Sequence, residues 1–194
     1  PYLASLNDNS KRAEYLTRLN MTLYLRDVVE RNNVVNVEAF TELMNVMASG
    51  IGSPCNPNKI ANTFKSVKKE TVAPHTIANY LSYMEDAFII EKSMRYDIKG
   101  RKYIGTLSKY YFQDVGLRNA LLNFRQVEET HIMENVIYNE LRSRGYSVDV
   151  GIVEARTALE RKLLEVDFVA NKGDKRYYIQ SAFSLPDAEK RAQE

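Results

Sequence analysis

Apolar side chains recur at helical spacing through the first half of the chain and at strand spacing in two later stretches. Leu16, Leu19, Leu23 and Val28 fall three to five residues apart, which predicts a helix over Ser10 to Arg31 with one stripe against a core. No capping residue marks its start. Phe40, Leu43, Met44 and Met47 share one face of a second predicted helix, Val37 to Ser49, which Gly50 ends, and Gly50 to Pro54 is then a turn. Asn56-Pro57 is a start signal, because the Asn side chain accepts a first-turn N–H and the Pro ring is pre-set for the first helical position. That helix reaches about Lys68 with Ile60, Ala61, Phe64 and Val67 inward. After a polar break, Lys68 to Thr71, another begins near Pro74 and carries Ile77, Tyr80, Leu81, Met84 and Phe88 on its buried face.

Two short helices across a tight polar turn form a helix-turn-helix candidate, whose second helix would enter a major groove. Phe88 to Asp97 and Arg101 to Phe112 then read as strands joined by the cationic turn Ile98-Lys99-Gly100-Arg101. A helix pair followed by a hairpin with a basic tip is the order of a winged helix. His75, Asn79 and Ser82 are expected on the solvent face of the second helix, with Lys99, Arg101 and Lys102 on the wing. Lys68, Lys69, Arg95 and the wing cations would meet phosphates, while His75 and Asn79 read base edges.

Gly116 to Phe124 is a short joining helix. Glu128 to Arg144 is a longer one, with Met133, Val136, Ile137 and Leu141 inward and Gly145 as its stop. Predicted strands follow at Tyr146 to Val153, Leu163 to Ala170 and Arg176 to Phe183, the first two separated by the charged segment Glu154 to Lys162. Val166, Phe168 and Ala170 alternate with Asp167 and Val169, and Asn171-Lys172-Gly173-Asp174 supplies the turn of a hairpin. The reading is an α/β (α+β) chain of two units: a helical winged helix-turn-helix unit over 1–125 and a small α/β unit over 126–194. An opening at Pro1 fits a fragment of something longer, and an end at Glu194 fits a second unit truncated at its C-terminus.

Composition narrows the function classes. At 194 residues, 44% hydrophobic and 27% charged, the chain is expected to be a soluble globular protein. The lone Cys55 has no disulfide partner in the chain, and no signal peptide or long apolar span is present, which makes the cytoplasm the expected location and a membrane partner unexpected. Only His75 and His131 are available to activate that thiol, and neither shares a motif with it, so Cys55 reads as a bystander. The net charge of +2 conceals an asymmetry: Lys59 to Lys109 holds ten Lys or Arg against five Asp or Glu. A central basic segment points to a polyanion, with a solvated surface as the alternative.

The second unit carries the only spacing suggestive of phosphodiester chemistry. Glu134 and Glu140 lie on its helix, Asp167 at mid-strand, and Gln180 two residues before Ala182 on the next strand. A hard divalent cation needs convergent oxygen ligands, and nucleases built on one add a lysine near the attacking water. Glu134 and Asp167 are the candidate metal ligands. Gln180 can still offer an oxygen; Ala182 offers nothing.

The blocks TLYLRDVVERN, IGSPCNPNKIANTFKS, TIANYLSYMEDAFIIEKSMRYDIKGRKY, KYYFQDVGLRNALL, ENVIYNELRSRGY, EVDFVA and YYIQSAFSL make the chain, from about Leu23 onward, resemble the C-terminal half of prokaryotic ATPases of the AAA superfamily. Those proteins join an ATPase module to a winged helix and a C-terminal domain of unknown function with a restriction-endonuclease-like core. The resemblance implies that the ATPase module, with its ATP and Mg, lies outside this chain, which holds no G-x-x-x-x-G-K-[ST] motif. It matches Glu134 to the helix acid of that core, Asp167 to the strand acid, Gln180 to the second-strand ligand and Ala182 to the usual lysine. The site so implied is degenerate. The expectation is therefore a non-catalytic, DNA-binding or regulatory region with no cofactor of its own. The alternatives are a Mg-dependent nuclease using Glu134, Asp167 and Gln180, and a module that binds a partner protein.

Overall fold

Behind a single turn, α1 (Tyr2–Ser5), Asp8 accepts the backbone N–H of Ser10 at 2.8 Å and starts α2 (Asn9–Leu19). An N-cap is thus present where the sequence reading finds none, satisfying one of the orphan first-turn donors. The computed structural model describes residues 2–68, 71–125, 128–156 and 161–182. At 50% helix and 27% strand it is the mixed α+β fold expected from the sequence.

The single helix expected from Ser10 to Arg31 is interrupted. Asn20–Leu25 winds as a π-helix before α3 (Arg26–Arg31) resumes. The interruption starts at Asn20, a buried amide whose Nδ2 donates to the Leu117 carbonyl at 2.7 Å, a demand that periodicity does not reveal. In α4 (Val37–Ser49), Asn36 caps the start through Ala39 N, and Phe40, Leu43, Met44 and Met47 are all buried. Asn56 caps α5 (Pro57–Thr63) with Pro57 in the first turn, and Phe64–Lys68 continues as a second π-helical turn. In α6 (Pro74–Asp86), Ile77, Tyr80, Leu81 and Met84 are buried as expected. Phe88 is not. The helix ends two residues before it, and a φ of +54° at Phe88 turns the chain into the next strand and leaves the ring 77% exposed.

The hairpin strands are β1 (Ile90–Asp97) and β2 (Lys102–Phe112), followed by α7 (Val115–Leu121), capped by Asp114 through Leu117 N. Then come α8 (Glu129–Ser143), β3 (Ser147–Arg156), β4 (Arg161–Lys172) and β5 (Lys175–Ile179). Gly145, at a φ of +81°, supplies the left-handed stop after α8, and Gly173 at +61° turns β4 into β5 with Lys172 opposite Lys175. The sheet order is β2-β1-β3-β4-β5, antiparallel along β3-β4-β5 and parallel between β1 and β3.

Two compact units result: the described residues of 1–92 and 106–127, and those of 93–105 and 128–194. The hairpin tip, which a boundary at 125 assigns to the first unit, thus clusters with the second. There Arg95, Tyr96 and Asp97 stand opposite Val150, Gly151 and Ile152. In the first unit one core runs through α3 to α6 and β1–β2, from Val28 and Phe40 to Ile77 and Phe112.

The helix of the second unit is turned differently from the prediction. Glu134, Asn135 and Tyr138 are buried, Met133, Ile137 and Leu141 are half-buried, and Val136 is 52% exposed. The cause is the Tyr138 ring, which sits 6.3 Å from that of Phe168 and fixes which stripe of α8 meets the sheet. On β4, Phe168, Val169 and Ala170 are all fully buried, so the half-solvated alternation read from the sequence is absent. The strand expected to reach Phe183 ends at Ile179, and Phe183 lies outside the described residues.

A bulge lies between Asp149 and Gly151, where the β3–β4 register shifts. A Cβ on Gly151 would come within 2.8 Å of Val169 Cγ2, 2.9 Å of Ile98 Cδ1 and 3.0 Å of Val166 Cβ. Gly151→Val should therefore cost about 1–3 kcal/mol by overpacking, read as a lowered urea midpoint; wild-type stability in the variant would contradict the packing at the bulge.

Candidate nucleic-acid interface

Residues four and three apart on a helix share a face. In α6 that geometry brings His75, Asn79 and Ser82 onto one exposed side, opposite buried Ile77, Tyr80, Leu81 and Met84. Pro74, Ala78 and Asp86 are exposed as well. No large apolar side chain of α6 is exposed, so its open face is small and polar. Lys59 and Lys65 are exposed on the preceding helix and its π-helical extension. Lys68 closes that extension, and Lys69 lies outside the described residues.

The other expected DNA contacts belong to the second unit. Lys99, Arg101 and Lys102 are exposed at the hairpin tip. Asp97 Oδ1 shapes that tip by accepting the backbone N–H groups of Lys99 and Gly100 at 3.1 and 2.9 Å. The Lys99 ammonium donates to the Glu154 carbonyl at 3.3 Å, and Arg101 takes a φ of +52°. Arg95 is half-buried in mid-strand, its Nε enclosed without a hydrogen-bond partner, so it is a sheet residue rather than a wing contact. The tip is no free wing: β1 is paired on its second edge by β3, which the sequence reading does not foresee.

Of the residues expected to form a nuclease-like set, Asp167 and Gln180 are neighbours and Glu134 lies apart from them. Asp167 is buried at mid-β4, 8% exposed, and its Oδ2 accepts both the N–H and the hydroxyl of Ser181 at 2.7 Å. Gln180 Oε1 accepts the Asp167 N–H at 3.4 Å. Ala182 is exposed beyond the end of β5. Glu134 is also 8% exposed, one helical turn before Tyr138 and on the stripe that meets Phe168. Strand alternation turns Asp167 to the face of β4 opposite Phe168. Among the described residues no three His, Cys, Asp or Glu side chains are grouped as a metal site. Ser181, between Gln180 and Ala182, is the partner that the motif reading overlooks.

The same reading misses a polar cluster on the sheet. Tyr103 donates its hydroxyl to Asp149 Oδ2 at 3.2 Å. Burial pushes the Asp149 carboxyl above its usual range, against the Tyr103 hydrogen bond and the nearby Arg142 and Arg176 charges. Burial, then the Asp149 charge, raises the Tyr103 phenol in turn. In the first unit burial lifts the Cys55 thiol to about 11, partly offset by Lys92, which suits an unreactive side chain.

A family model described as "Domain of unknown function (DUF8612)" matches residues 1–128. Over 180 residues the chain is 33% identical to an uncharacterized protein of Haemophilus influenzae, covering 93% of this chain and 43% of that protein. It is 28% identical over 190 residues to the uncharacterized protein MJ1544 of Methanocaldococcus jannaschii, covering 98% of this chain and 41% of the relative. The chain thus spans well under half the length of both relatives. No solved structure matches it.

Proposed function

The chain belongs to the DUF8612 family, and from that premise we propose that it is a non-catalytic, duplex-DNA-binding region of a longer protein. The open polar face of α6 carries this reading. An apolar exposed patch there would favour a protein partner; His75, Asn79 and Ser82 instead offer hydrogen-bonding groups of the kind that read base edges. Lys59 and Lys65 on the preceding helical stretch supply charge for phosphates. The module is a helix-turn-helix whose hairpin serves as a sheet element rather than as a free wing. Hydrolysis is no part of the reading, because Asp167 Oδ2 is held by Ser181 and Ala182 stands where a lysine would serve.

The remaining length of the relatives has room for the AAA-type ATPase module that the resemblance implies, with ATP and Mg bound there. The described residues include no helix long and apolar enough to cross a membrane, and we place the protein's work in the cytoplasm.

Fluorescence anisotropy with a short random duplex, from about 50 to 200 mM salt, tests the proposal. Affinity should fall as salt rises, with a log–log slope of about −0.9 per phosphate neutralised. Lys59→Ala, at an exposed site, should weaken binding and reduce that slope by about one phosphate. Absent or salt-indifferent binding at low salt would overturn it.

A further inference from the structure

Five strands of the second unit contribute to one polar, aromatic surface. Tyr103 on β2 lies edge-on to Tyr96 on β1, with centroids 5.5 Å apart and planes at 67°. The Arg176 guanidinium on β5 sits 5.2 Å over the Tyr96 ring and reaches its hydroxyl at 3.5 Å. Its Nε donates to Asn171 Oδ1 on β4 at 2.7 Å, and Tyr178 hydrogen-bonds the same guanidinium. Asp149 on β3 anchors Tyr103. Register agrees with these contacts: Asn171 faces Arg176, and Val169 stands between Asp149 and Tyr178. Since α8 packs on the Phe168 side of β4, alternation puts this cluster on the opposite face.

Two features suit this face to a ligand. Tyr103 is 55% exposed and Tyr178 52%, so aromatic rings stand open on a rigid sheet rather than filling a core. A guanidinium carries five N–H donors; Arg176 is exposed, and Asn171 and the two tyrosine hydroxyls hold it without using all of them. The cation of the cluster, Arg176, is exposed, whereas its acid, Asp149, is buried. Four interstrand spacings of about 4.8 Å separate β2 from β5, roughly 19 Å of surface.

We infer that this face is a stacking platform for single-stranded nucleic acid, with Tyr103 and Tyr178 taking bases and Arg176 taking the backbone. Open rings that accept any base π-face, beside a guanidinium that meets the backbone, are the elements of sequence-tolerant single-strand binding. A folded acidic protein could also bury tyrosine rings, and competition by an acidic polymer without bases separates the two occupants. The site is distinct from the α6 face and stands whether or not α6 binds duplex DNA.

The test measures anisotropy of labelled oligothymidylate and oligouridylate with the intact chain. Binding to either strand should weaken with salt. Tyr178→Ala and Tyr103→Ala should each lose about 5- to 100-fold in affinity, while Tyr178→Phe, which keeps the ring, stays within about threefold of wild type. Lys59→Ala, which should weaken duplex binding, should leave single-strand binding within about threefold of wild type, which separates this site from the duplex reading. Binding of neither oligonucleotide at low salt would overturn the proposal. So would alanine variants that bind like wild type, or an oligoglutamate that displaces the strand as well as unlabelled oligothymidylate does.

Discussion

Arg118→Ala should lower the unfolding free energy by about 3–5 kcal/mol, the largest effect expected of a single substitution outside the apolar core. Arg118 lies on α7 with no solvent exposure. Its Nε donates at 2.7 Å to the carbonyl of Ala48, one of the last four of α4, and an Nη donates to Asn119 Oδ1 at 3.0 Å. A helix leaves its final carbonyls without intrahelical donors, and its dipole makes that end negative. The guanidinium therefore serves α4 as a buried cationic cap. Truncation removes the charge, opens a cavity and strands a buried acceptor. Arg118→Met refills most of the volume but still strands the Ala48 carbonyl, and should cost about 1–3 kcal/mol. Urea unfolding separates the two: the midpoint should fall in the order wild type, Met, Ala at constant slope. A native stability of about 5–15 kcal/mol leaves the alanine variant marginal. Equal midpoints for Met and Ala would refute the cavity contribution.

Arg118 shows where sequence reading stops. A cation in the last turn of a short helix reads as solvated, since charge is rarely fully buried without partners, and no local pattern indicates a carbonyl seventy residues earlier. The helices α4, α5 and α6 were legible because each pairs a start signal with a single apolar stripe: Asn36 before Phe40 and Leu43, Asn56-Pro57 before Ile60, Pro74 before Ile77. The outward set His75, Asn79 and Ser82 followed from the same periodicity. The π-helical break at Asn20 and the rotation of α8 were hidden, because each is decided by a distant group, Leu117 O and Phe168. Parallel pairing of β1 with β3 was hidden for the same reason: hairpins announce themselves through their turns, whereas a parallel partner carries no local mark. The tyrosine–arginine face had a faint signal, with Tyr96 and Tyr103 flanking the hairpin tip and Arg176 and Tyr178 two residues apart. It became a surface only once β3 and β4 joined the pairs into one sheet.

Asp167→Ala should lower stability by about 2–3 kcal/mol, and Mg²⁺ should leave the wild-type midpoint where an equal ionic strength of NaCl puts it. Both follow from one geometry. Asp167 Oδ2 receives two hydrogen bonds at 2.7 Å from Ser181, the N–H and the hydroxyl, within a buried strand. Bonds to an ionised acceptor are short and strong. Their loss leaves the Ser181 N–H unsatisfied, since residues 180–182 belong to no strand that could replace it. Asp167→Asn keeps an acceptor without the charge and should cost roughly half as much. A divalent cation would find Asp167 Oδ1 but few further oxygens, with Oδ2 held by Ser181, Gln180 oriented toward the Asp167 N–H and Ala182 contributing no ligand. Binding is visible in stability: a cation at a hundred times its dissociation constant adds about 2.7 kcal/mol. A Mg²⁺-dependent rise in the wild-type midpoint that disappears in Asp167→Ala would show that the carboxylate holds a metal and overturn the structural reading. No rise, together with a destabilised alanine variant, would make Asp167 the bolt that fastens the end of the hairpin, a structural rather than a metal-binding use of this carboxylate.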